Sequence, residues 1–264
     1  MKETFFLSEN SDTYLIINNG ARVLQNKYFE FAKHLSENGI NTITYDYASM
    51  GQEIEELKMS KASIQHWVEN DMNKIIENIL QKHPQAKIYI LGHSLGGQII
   101  GLSEHHKNIS GIILVATQTG NYRYWNFPLN IANFIFWKLY VPVIVNYYGY
   151  FPAGKNSGME HMPKLPALEW MKWCQSANYL FDNVSENKRY YKKLTCPLLS
   201  ISFHNDIFAT KQSVDWFTEQ YANTKTQRIH YESKKINYGH SALFEPENFS
   251  HMCIDIINFI KTPS

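Results

Sequence analysis

The sequence predicts an α/β fold: a mostly parallel central sheet flanked by helices, with one aromatic-rich helical insertion. Short apolar runs rich in β-branched residues alternate with segments of helical periodicity, the pattern of parallel strands joined by crossover helices. That alternation holds over 1–118, fails over 119–191 and resumes over 192–264, so one core is interrupted by one cap insertion. A chain of 264 residues, 44 % hydrophobic and 19 % charged, suits a single large domain carrying an insertion better than two equal domains.

In chain order, the apolar run 14–18 (YLIIN) reads as a buried strand entering a tight loop at Asn19-Gly20-Ala21. A helix follows over 27–38, with Phe29, Phe31, Ala32 and Leu35 inward and Gly39 as its stop. Residues 42–47 (TITYDY) make the next strand, and 62–83 place Ile64, Trp67, Val68, Met72, Ile75, Ile76 and Ile79 at helical spacing. The strand 87–91 (KIYIL) delivers Ser94, a helix begins over 97–105, and 109–115 (ISGIILV) is another buried strand. After the insertion come a strand at 197–202, a helix at 211–221, a strand at 227–232 and a last helix at 247–260.

The strongest chemical signal is Gly92-His93-Ser94-Leu95-Gly96-Gly97, a G-x-S-x-G turn between a strand and a helix. Glycines flank the serine because side chains there collide with the neighbouring strand and helix, while the strained turn holds the hydroxyl out to substrate. A serine hydroxyl is a poor nucleophile at neutral pH, so it needs a basic imidazole and a carboxylate to orient that ring. Asp206 follows the strand 197–202, where active-site loops gather, and is the candidate acid ahead of Asp182 in the insertion and Asp215 on a helix. His240, in Tyr238-Gly239-His240-Ser241, lies after the last strand and before the last helix, which is the place for the base. His230 falls within a strand, His251 within the last helix, and His105-His106 at a helix end. Backbone N–H groups of Leu95 and Ala21 are the candidate oxyanion donors, one at a helix start and one beside Gly20.

The insertion is too aromatic for a solvated loop. It reads as a helical cap on its own core, as a cap whose inner wall binds an apolar acyl group, or as a face resting on a membrane. Trp125, Trp137 and Trp170 are the candidate substrate contacts. The greasiest stretch, 127–145, is interrupted by Pro128, Asn130, Asn133, Lys138 and Pro142, so no transmembrane helix is expected there.

Lys plus Arg (25) and Asp plus Glu (24) nearly cancel, which leaves no overall field to attract nucleic acid or an anionic membrane; a small acyl substrate is the expected partner. Cys174, Cys196 and Cys253 are few, odd in number and far apart, against a disulfide framework or a zinc site and in favour of a cytoplasmic setting. The N-terminus turns polar before a signal-peptide apolar region forms. No metal or organic cofactor is expected.

With these residues placed, the chain resembles the α/β-hydrolase superfamily over nearly its whole length. More narrowly, it resembles a bacterial family of α/β-hydrolases with a serine-aminopeptidase-like or lysophospholipase-like core. The segments that carry this are TYDYASMG (44–51), LGHSLGGQ (91–98), YYGYFP (147–152), LEWMKWC (168–174) and YLFDN (179–183). The resemblance implies a triad of Ser94, Asp206 and His240 and implies no substrate. Asn19-Gly20 stands where many relatives carry His-Gly, which removes a histidine side chain from the oxyanion loop. The expected activity is hydrolysis of an acyl ester or amide through an acyl-enzyme. A catalytically silent binding protein, and an acyltransferase or carbon–carbon hydrolase using the same triad, are the alternatives.

Overall fold

The computed structural model describes residues 2–154, 157–232 and 239–261. Its strands are β1 (Lys2–Phe6), β2 (Thr13–Asn18), β3 (Asn41–Asp46), β4 (Lys87–His93), β5 (Ile109–Val115), β6 (Tyr150–Phe151), β7 (Met162–Pro163), β8 (Leu198–Phe203) and β9 (Thr226–Tyr231). Seven of them form one sheet in the order β1-β3-β2-β4-β5-β8-β9, and β6 and β7 make a small antiparallel pair. Within the large sheet the strands from β3 to β9 run parallel, and β1 is antiparallel to β3 at the edge.

Side-chain alternation along the strands divides the core between the two sheet faces. Ile16, Ile43, Ile90 and Ile112 face Trp67, Ile76 and Leu95 on one side. Leu15, Ile17, Leu91 and Ile113 face Phe31 and Ile256 on the other. The parallel register puts the carboxyl ends of β2, β4, β8 and β9 at one edge, where ligands bind in open α/β sheets.

Two helical expectations change. The helix after Ser94 is a single turn, Leu95–Gln98, followed by 3-10 turns at Ile100–Leu102 and Glu104–Asn108. Gly96, Gly97 and Gly101 weaken a longer helix. Gly101 is required by packing, because a Cβ there would lie 2.3 Å from the Tyr191 ring. The polar interruptions of the greasy stretch do not break it: Leu129–Tyr148 is one 20-residue helix, long and apolar enough by length and composition to cross a membrane. A π-turn at Phe136–Tyr140 ends two residues before Pro142 and accommodates the missing N–H and the ring that would break a regular helix. This helix and Lys164–Gln175 follow β5 in the chain, and their buried residues Trp137, Val141, Val145 and Trp173 join the first core cluster.

Candidate active site

Ser94 sits at φ 52°, ψ −119°, between the end of β4 and the one-turn helix. A β-carbon in place of the hydrogen would lie 2.2 Å from the Gly97 Cα at Gly92, and 2.2 Å from the Asn18 carbonyl oxygen at Gly96. At Gly97 it would lie 2.0 Å from the Thr117 hydroxyl. Those approaches exclude any side chain, so the three glycines let the turn close and hold Ser94 in the left-handed region. Asn18 locks the turn from β2, donating from Nδ2 to the Gly96 carbonyl at 3.2 Å.

The structure brings Ser94, His240 and Asp206 together. Ser94 Oγ is 3.0 Å from His240 Nε2, and His240 Nδ1 is 2.8 Å from Asp206 Oδ2. The other carboxylate oxygen, Oδ1, accepts the N–H groups of Phe208 at 2.9 Å and Ala209 at 2.8 Å. Burial alone would raise the Asp206 pKa, but the His240 ring and these two N–H donors outweigh it and hold the carboxyl below the ordinary range. Because Asp206 accepts at Nδ1, that nitrogen carries the imidazole proton and Nε2 is left to accept from the serine hydroxyl.

The competing residues are committed elsewhere. Asp215 pairs with Lys211 and Arg228, both at 2.8 Å, and Asp182 accepts from Asn178 on the surface. His230 Nδ1 bonds the Ser202 hydroxyl, and His105 bonds Glu77. Tyr238, part of the motif that singled out His240, lies outside the described residues.

The N–H groups of Ala21 and Leu95 meet no acceptor among the described residues, as an oxyanion site requires. Gly20 is different: its N–H donates to the Tyr28 hydroxyl at 2.9 Å. Tyr28 Oη in turn lies 2.7 Å from His93 Nδ1, and His93 Nε2 lies 2.7 Å from the His240 carbonyl oxygen. A carbonyl only accepts, so His93 carries its proton on Nε2 and Tyr28 donates to Nδ1. Burial, with His240 nearby, lowers the His93 pKa to about 3, which keeps it neutral at working pH. The loop carrying Ala21 and the loop carrying His240 are therefore tied through one buried imidazole. Gly20 is needed for that approach, since a Cβ there would stand 2.8 Å from His93 Nδ1. His93 was visible in the motif but occupied its unspecified position, and nothing in the sequence around Tyr28 marked it. Asn19 turns inward and donates to the Tyr45 carbonyl at 2.7 Å, so it braces the loop.

The three tryptophans part company. Trp125 packs its ring on Phe208, which packs on His240, with ring centroids 5.8 and 5.5 Å apart. Trp137 and Trp170 instead pack on each other at 4.7 Å. Trp170 also donates to the Tyr179 hydroxyl, which donates to Gln98 in the elbow helix. These contacts pack Trp137 and Trp170 into the first core cluster and link them through Tyr179 to the elbow helix. Phe208, exposed beside His240, is the aromatic neighbour that sequence reading passed over. Among the described residues no group of three His, Cys, Asp or Glu side chains is placed to hold a metal ion.

A family model described as serine aminopeptidase, S33, matches residues 9–247. No curated protein matches significantly in sequence. Of solved structures, a soluble variant of monoglyceride lipase from Saccharomyces cerevisiae superposes with a TM-score of 0.71 at 15 % identity, covering 99 % of this chain and 92 % of its own. A lipase-esterase related protein from Clostridium acetobutylicum gives 0.63 at 17 % identity, with 98 % of each chain covered. A monoacylglycerol lipase from Paleococcus ferrophilus gives 0.58 at 14 % identity, covering 98 % of this chain and 97 % of its own.

Proposed function

For a chain that belongs to the serine aminopeptidase S33 family of α/β-hydrolases, we propose the activity of a serine hydrolase that cleaves an ester of an apolar acyl group. The unbroken contact from Ser94 through His240 to Asp206, with Ser94 held at φ 52°, carries this reading. Ser94 Oγ attacks the ester carbonyl as His240 Nε2 takes its proton, and Asp206 stabilises the imidazolium. The Ala21 and Leu95 N–H groups hold the oxyanion. Collapse passes the proton from His240 to the leaving alcohol and leaves the acyl group on Ser94. His240 then deprotonates a water, whose attack releases the acid and restores the serine.

An apolar acyl ester is favoured over a peptide with a free amino terminus by the composition of the chain leading into the aromatic insertion. The run 105–159 contains no Asp or Glu, so it offers no carboxylate to an α-ammonium, while its aromatics offer apolar surface. Two of the similar structures are named monoglyceride and monoacylglycerol lipases, which makes a monoacyl ester the first substrate to try. The three free thiols suit a reducing, cytoplasmic setting. The test is labelling with a fluorophosphonate probe followed by a p-nitrophenyl ester series of increasing chain length. Wild type labels and turns over, and Ser94→Ala does neither; labelling that survives the substitution, or a wild type that neither labels nor turns over, sinks the reading.

A further inference from the structure

The Leu129–Tyr148 helix is apolar almost all round, yet only 22 % of its most apolar window is buried. Its covered seam is narrow: Asn133, Trp137, Val141 and Val145 recur every four residues. Gln175 Nε2 donates to the Trp137 carbonyl at 2.7 Å and the Trp137 ring lies on Trp170, so the seam is fastened to the protein. The opposite stripe, Ile131, Ile135, Leu139, Val143 and Tyr147, is 48–79 % exposed. Phe127, 79 % exposed, extends it toward Trp125. A helix of this composition normally has its whole circumference covered, and an apolar surface this long marks a contact face.

We propose that this stripe rests on the surface of a lipid bilayer containing anionic lipid, with the helix lying along the interface. Two observations favour a bilayer over a second copy of the chain. The exposed charges from Arg123 to Tyr148 are Arg123 and Lys138, and the run 105–159 has no acid, so two such faces repel each other while an anionic surface attracts both. Tyr140, Tyr147 and Tyr148 add amphipathic rings that suit the headgroup level. Crossing the bilayer would require stripping the fastened seam from the protein, so the helix lies on the membrane and does not span it. The face also leads inward, since Trp125 beside Phe127 reaches His240 through Phe208, a short apolar route from a bilayer to Ser94.

The experiment is co-sedimentation with vesicles of phosphatidylcholine containing phosphatidylglycerol. The wild type and Ser94→Ala bind equally, which separates docking from the hydrolytic activity. Leu139→Ser with Val143→Ser lowers the partition coefficient about tenfold or more, while fluorophosphonate labelling is unchanged and shows that the fold and Ser94 persist. Lys138→Gln weakens binding to the mixed vesicles and not to pure phosphatidylcholine. A wild type that stays in the supernatant, or a double variant that binds as well as wild type, overturns the proposal. So does a wild-type dimer in sedimentation velocity that the double variant dissolves, since the stripe is then a contact between copies.

Discussion

The hydrogen-bonded residues around Ser94, here the floor, and the Leu129–Tyr148 helix with its neighbours, here the roof, are held by different forces. On the floor, hydrogen bonds of 2.7–3.0 Å run from the Gly20 N–H through Tyr28 and His93 to the His240 carbonyl, and from the His240 ring to Ser94 and Asp206. Each requires one geometry, and the glycines of the elbow permit one backbone path. In the roof the Leu129–Tyr148 helix is held along one seam of buried residues, Asn133, Trp137, Val141 and Val145. Directional bonds position the floor, whereas the roof is positioned by apolar area, which tolerates more than one arrangement. Chemistry that needs atoms aligned within a fraction of an ångström suits the first, and the acyl recognition proposed above suits the second.

The largest effect comes from removing charge from the floor while keeping its shape. Asp206→Asn can still accept the Phe208 and Ala209 N–H groups, but it no longer supports an imidazolium and can select the wrong tautomer of His240. The turnover number for a soluble p-nitrophenyl ester should fall about ten-thousandfold with KM little changed. A fall of less than about tenfold would show that the floor is not the reacting centre.

His93 tests whether the floor is also a stability element. Its folded pKa of about 3 lies below the ordinary histidine value of 6.5, so the unfolded chain binds a proton that the folded chain refuses. Stability from this group is complete above pH 6.5 and declines as pH falls toward 3, by on the order of 5 kcal/mol if the fold persists over that range. Asp206, held below the ordinary carboxylate range, adds to the loss at the acid end of that window. His93→Gln has no proton to refuse, so urea midpoints measured across that window should show a flatter pH profile than wild type. Parallel profiles would remove His93 from the account of acid sensitivity.

The same division decides what was legible in the sequence. The elbow could be read because its glycines answer to sterics that are local, and Asp206 and His240 because each follows a strand whose end the fold places at the site. Tyr28 could not be read: it meets His93 across 65 residues, and no local pattern encodes that pairing. β1 was missed because KETFF is a half-exposed edge strand with a short apolar end, and its pairing with β3 is long-range. The sequence offers Trp137 and Trp170 as substrate contacts because the insertion is aromatic throughout. A helix without a polar face gives no signal of which side is covered, so the choice between inner wall and core rested on tertiary packing.

The smallest effect is the sharpest check on the roof, because it compares two residues of one helix. Trp137, 6 % exposed against Trp170, loses its packing on replacement by Ala and should cost about 3 to 5 kcal/mol. Ile131, 51 % exposed on the opposite stripe, leaves little behind when replaced by Ser, and the change should stay within about 0.5 kcal/mol. Thermal melts in the absence of lipid read both, with a shift of several degrees for the first and about one or two for the second. If Ile131→Ser melts as low as Trp137→Ala, the outer stripe is packed in the isolated protein, and the contrast between a fastened seam and a free face fails. If it melts like wild type but loses vesicle binding, the stripe stabilises the docked protein and contributes little to the free fold.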